Sequence, residues 1–112
     1  MPNTTNNIRF NYEYRDSGNY HKEGSIVFKN TNNIEDLKKV ETQMRDFLFD
    51  KEFFYPYKLS IPLIHFDTRN IKLDHDWYRF DSLEFTPEQN TDYRSFSDFL
   101  IDLKQFARQP EL

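Results

Sequence analysis

The chain contains no cysteine. That removes disulfides, thiolate nucleophiles and cysteine-ligated zinc from consideration. It has only two glycines in 112 residues. Two isolated glycines cannot build the phosphate-cradling G-x-x-x-x-G-K loop or the G-x-G-x-x-G dinucleotide turn. The stretch around Ser82, "RFDSLEF", holds no glycine and so forms no G-x-S-x-G nucleophile elbow. Standard spaced metal motifs such as H-E-x-x-H are missing as well. No apolar run approaches the roughly 20 residues that a membrane span needs. The opening "MPNTTNNIRF" lacks the basic region and apolar run of a signal peptide. These absences lead to the expectation of a cytoplasmic protein without a cofactor.

Clustered positive charge is also scarce. Fifteen basic residues stand against nineteen acidic ones, for a net charge of −4. The densest basic pair, Lys38 and Lys39, sits beside Glu35, Asp36 and Glu41. Nucleic-acid binding rests on basic clusters that displace counterions from phosphates, so neither nucleic acid nor an anionic membrane surface is an expected partner.

What the chain does have is aromatic mass. Mean hydropathy is −0.92, a value that alone suggests marginal folding, yet 12 Phe, 7 Tyr and 1 Trp are present. Each ring buries roughly 150–250 Å², so a few large residues replace many aliphatic ones. A chain of this length is expected to fold as a single domain over residues 1–112, with 1–6 and 108–112 frayed.

Ile8, Phe10, Tyr12 and Tyr14 alternate with polar residues, the period of a half-buried strand. "RDSGN" is dense in turn formers, and Tyr20 to Lys29 returns as a second strand. Gly24 inside that strand points to a bulge or to close contact with an aromatic neighbour. "NTNN" ends the strand and offers helix caps. Ile34, Leu37, Val40, Met44, Phe47 and Leu48 then recur at helical spacing, predicting a helix that ends near Asp50. Pro56 and Pro62 break the next stretch into a turn and an extended edge segment near Leu63 to Phe66. Trp77 to Thr86 reads as a strand with Trp77 as its core anchor. Ser95, or Thr91 a turn earlier, caps a last helix with Phe96, Phe99, Leu100, Leu103 and Phe106 as its stripe. The expected fold is α+β: an antiparallel sheet of three to four strands, two helices on one face, in the order β-β-α-β-β-α.

Three stretches carry candidate chemistry. In "LDHDW", extended backbone places Asp74 and Asp76 on one face and His75 on the other. With His65 from the similar "IHFD" they form a metal-ligand set if the two segments pair. Otherwise they are solvated strand-edge residues. In the turn "YRDSGNYH", Tyr14, Arg15, Asp16, Asn19, Tyr20 and His21 combine the residue types enriched at protein-binding hot spots. Their plainer role is a well-made turn. In "EFFYPYK", Phe53 and Phe54 suit a core, while Tyr55 and Tyr57 fit either core or a docking patch.

The segments "IRFNYEYRDSGNYHKEGSIVFKN", "FDKEFFYPYKLSIPLIHFD" and "LDHDWYRFDSLEFTPEQNTD" together resemble a group of small bacterial and cyanobacterial single-domain proteins. The resemblance runs from about Ile8 to Leu103, with "YRDSGNY" and "LDHDW" its most distinctive pieces. No activity, cofactor or substrate attaches to that group. The resemblance therefore implies a free-standing soluble domain and carries over no functional residue. The resulting expectation is a non-enzymatic binding or regulatory module acting through protein contacts, with a protein partner or a second copy as occupant. The alternative is a small metal-assisted hydrolase using His65, Asp74, His75 and Asp76. Whether a small-molecule ligand exists is not readable from these residues.

Overall fold

A computed structural model describes residues 6–15, 21–56, 58–62 and 77–109. Four antiparallel strands form one sheet in the order β2-β1-β4-β3. In chain order they are β1 (Asn7–Arg15), β2 (His21–Phe28), β3 (Phe53–Phe54) and β4 (Tyr78–Thr86), with α1 (Leu37–Arg45) between β2 and β3 and α2 (Phe96–Phe106) at the end. This is the expected α+β order. No described helix is long and apolar enough to cross a membrane.

The central strand β1 alternates as its sequence does. Ile8, Phe10, Tyr12 and Tyr14 are buried, while Asn7, Arg9, Asn11 and Glu13 are only partly covered. Phe10 is the hub of the core, with ring centroids 5.1 Å from both Phe80 and Phe99 and 5.6 Å from Phe54. Phe99 of α2 also stacks on Phe28 of β2 at 4.3 Å, and Met44 of α1 joins the same cluster. Both helices therefore cover one face of the sheet. Edge-to-face and offset rings at such distances add about 0.5–1.5 kcal/mol per pair beyond their buried area.

Gly24 lies opposite Tyr12 in the β1–β2 ladder. A Cβ there would meet the Tyr12 ring at 2.7 Å, so the expected close aromatic contact is what the position requires. Its φ is not positive. The constraint is space, not backbone angle.

Several boundaries differ from the sequence reading. α1 is capped by Asp36, whose Oδ1 accepts from the Lys39 amide at 3.0 Å, and it ends at Arg45. The Asn-rich stretch closes on itself instead: the Asn30 side chain bonds the Ile34 backbone at both N and O. Past Arg45 the chain turns, and Arg108 donates to the carbonyls of Asp46, Phe47 and Leu48 at 2.8, 3.3 and 3.1 Å. Arg108 is thus not part of a frayed end. The last carbonyls of α1 accept from the amides of Asp46, Phe47 and Leu48, and Arg108 is the cation that satisfies the carbonyls of the turn that follows.

The short edge strand is Phe53–Phe54, ahead of Pro56. The chain leaves the sheet at Tyr55, whose amide bonds Ala107 O at 2.8 Å. The expected segment near Leu63 to Phe66 lies outside the described residues. Ser95 caps α2, accepting from the Asp98 amide at 3.1 Å. Tyr78, not Trp77, enters the core at the start of β4. Trp77 packs edge-on against Phe49, Phe53 and Tyr55 at 5.9–6.4 Å in a smaller aromatic group. Phe53 is paired directly with Arg79 and so shares its face, opposite the main core.

Candidate functional site

With both helices on one face, the opposite face of the sheet carries the polar half of every alternating strand. On it lie Arg9, Asn11 and Glu13 of β1, Glu23 and Ser25 of β2, and Ser82 and Glu84 of β4. A bulge between Asn11 and Tyr12 sets their alignment: Asn11 pairs with Ser82 and Tyr12 with Phe80, leaving Asp81 unpaired. One extra residue lets Asp81 and Ser82 both belong to the polar side while Leu83 still packs on the core.

The result is an open trough of about 650 Å³. Its lining holds five carboxylates, from Glu13, Glu23, Asp81, Glu84 and Glu88, and a single guanidinium, from Arg9. Arg9 bridges Glu84 at 3.0 Å and also pairs with Glu88. These hydrogen bonds, to Glu88 first and then to Glu84, raise its pKa above the ordinary guanidinium value. Asn11 Nδ2 donates to Ser82 Oγ at 3.1 Å and to Glu84 Oε2 at 3.0 Å. The Asn11 bond and then that of Arg9 hold the Glu84 carboxyl below its usual range. At the hairpin end, Arg79 pairs with Glu52 and lies 3.3 Å from Glu13. Its pKa is raised, chiefly by the Glu52 bond. Arg15 adds a 3.6 Å contact to Glu13.

Glu23 is the exception. It is exposed and has no ion-pair partner among the described residues. With Glu13 and His21 it brings one potential ligand atom each to within 4.8 Å of the others. A mixed carboxylate–imidazole set of this kind suits a transition metal. Glu13, however, already faces two guanidiniums with which a dication would compete. The group adds negative potential to the trough and carries no metal assignment.

The structure distributes the residues singled out from the sequence unevenly. Tyr14 is fully buried, its ring edge-on to Tyr78 at 5.5 Å, and it offers no interaction surface. Arg15 and His21 are exposed at the hairpin end. Asp16, Asn19 and Tyr20 lie outside the described residues, as do Tyr57 and the candidate metal set His65, Asp74, His75 and Asp76. The trough residues are absent from the sequence-based candidates. The signal was there in part: the alternation that picks out Ile8, Phe10 and Tyr12 also assigns Arg9, Asn11 and Glu13 to the other face.

Comparison with protein-family models, curated proteins and solved structures finds no match for the chain.

Proposed function

We propose that the protein is a non-enzymatic cytoplasmic binding module whose open sheet face receives a cationic segment of a partner protein. The observation that supports this is the trough itself, on the face that the helices leave open. Five carboxylates line it with the Arg9 guanidinium. Arg79 and Arg15 reach Glu13 and Asp81 from the hairpin end, which still leaves acid in excess. Clefts lined by one sign of charge concentrate the opposite sign and steer its approach. The charge state of Glu84 suits pairing with a cation and does not suit general-acid work. Glu84 is held ionised by its neighbours, whereas a general acid needs a carboxyl kept protonated near neutral pH. The resemblance to small single-domain bacterial and cyanobacterial proteins agrees with a free-standing module.

Each exposed charge pair contributes about 0–1 kcal/mol, so affinity is expected to be modest and salt-sensitive. The test is an NMR titration with a short arginine-rich peptide and with its glutamate counterpart. Amide shifts along β1, β2 and β4 on the trough side, weakening as salt shortens the screening length to about 10 Å at 0.1 M and less above it, are the expected result. Equal binding of the acidic peptide, or no shift with either, would end the reading.

A further inference from the structure

β2 is an outer strand of the described sheet, and among the described residues most of its outer side carries no partner strand. The β1–β2 register is unbroken from Ile8↔Phe28 to Arg15↔His21. In an antiparallel pair each residue either exchanges both backbone bonds with its partner strand or points both away. Val27 points both away: its amide donates to Thr91 Oγ1 at 3.0 Å, and its carbonyl accepts from the Thr91 amide at 2.9 Å. By alternation, His21, Glu23 and Ser25 also aim N–H and C=O away from β1. The loop after β4 covers this edge at Val27. No described residue bonds the outward groups of the other three. All three are exposed.

We propose that this edge takes a partner strand with a basic residue at every second position, added beside β2 as a fifth strand of the sheet. The inference rests on the cationic-partner reading above and specifies how that partner is held. Backbone bonds supply register, and every second side chain of an added strand falls on the trough face. There it meets Glu23, the trough carboxylate with no cation of its own among the described residues, and His21, whose ring reaches the same carboxylate group. A second copy fits less well. Two β2 strands paired antiparallel across this edge bring their Glu23 carboxylates together on one face, and like charges so placed are destabilising.

Amide hydrogen exchange tests the mode directly. In the free chain Gly24 and Ile26 amides are expected to be protected, and those of Glu23 and Ser25 to exchange fast. A short peptide alternating Arg and Thr should slow Glu23 and Ser25 by about tenfold or more. The same peptide N-methylated throughout keeps its charge but cannot donate to the ladder, and its methyl groups hold the two backbones apart, so it should not slow them. Ser25→Pro removes one outward N–H without touching a carboxylate. It should abolish the protection while Gly24 and Ile26 stay protected as proof of folding. If Ser25→Pro does not fold, the two peptides on the native chain decide the matter. Equal binding of both peptides without slowed exchange overturns strand addition and leaves the anionic-face reading standing; no binding of either overturns both. Concentration-dependent protection of Glu23 and Ser25 in the free chain would make a second copy the occupant and overturn the basic strand.

Discussion

Replacing Gly24 by alanine inserts one methyl group where the structure has none to spare. The added Cβ would lie 2.7 Å from Cζ, 2.9 Å from Cε2 and 2.9 Å from the hydroxyl oxygen of Tyr12. Ordinary contact begins near 3.4 Å, so the ring must give by about 0.7 Å at Cζ. It is poorly placed to do so. Tyr12 is 2% exposed, lies parallel to the Tyr78 ring at 5.7 Å and donates its hydroxyl to Pro62 O at 3.1 Å. Overpacking of this kind costs about 1–3 kcal/mol. Alanine recovers about 0.4–1 kcal/mol by restricting the unfolded chain, which leaves Gly24→Ala destabilised by about 0–2.6 kcal/mol.

The decisive comparison is a sign change. In a Tyr12→Leu background the ring is gone and only the unfolded-chain term remains, so adding Gly24→Ala should stabilise by about 0.4–1 kcal/mol. Urea titrations read both backgrounds. At m-values of about 1–3 kcal/mol/M for a small domain, the midpoint shift is measurable in either direction. If Gly24→Ala is stabilising with Tyr12 intact, the glycine is not required by the ring and the account of this pair is wrong.

Burial raises the Tyr12 phenol to about 12 from its ordinary 10.0. Its contribution is therefore complete below pH 10 and lost as pH rises through 12, by up to about 2–3 kcal/mol at roughly 1.4 per pKa unit; Tyr12→Phe should flatten that alkaline arm in pH-dependent unfolding. Arg94, 5% exposed, binds Asp92 at 2.7 Å and Asp102 at 2.9 Å, so Arg94→Met should cost near the lower end of about 3–5 kcal/mol, because Asp102 is 36% exposed and rehydrates. Burial pushes the Asp92 carboxyl up, but the Arg94 side-chain and backbone bonds outweigh it and hold it low; its stabilising contribution is present above the ordinary carboxylate range and lost as pH falls through the folded value, so the Arg94→Met deficit in chemical unfolding should shrink in acid. Arg108→Ala frees three carbonyls in the turn after α1 and should lower stability by about 0.5–1.5 kcal/mol, with faster amide exchange localised around residues 46–48.

Which parts of this were legible in the sequence depends on the range of the interactions involved. Strand alternation and the α2 stripe are local, and both elements form nearly where the pattern places them. The α1 boundary is not local. Nothing near Arg45 announces a stop, and the residue that holds the turn after it, Arg108, lies some 60 positions away. The same holds for Tyr55, which leaves the sheet to bond Ala107. Trp77 misleads because hydrophobic size does not reveal phase: Tyr78 and Phe80 share parity, and their face is the one that meets Phe10.

Phase also governs the trough. Period-two alternation through "RFDSLEF" would put Arg79, Asp81, Leu83 and Phe85 on one face and send Leu83 away from the core, so the stretch is inconsistent as a regular strand. The bulge at Asp81 resolves the conflict by shifting everything after it by one place. Leu83 turns inward, Ser82 and Glu84 turn outward, and Glu84 then comes opposite Arg9 across 75 residues of sequence. A single irregular position thus supplies both the last apolar contact of β4 and the carboxylate that the open face needs beside Arg9. Site and core are products of one register. A change that slips β4 by a residue would expose Leu83 and withdraw Glu84 together, which is why the acidic face cannot be weakened through register without also weakening the fold.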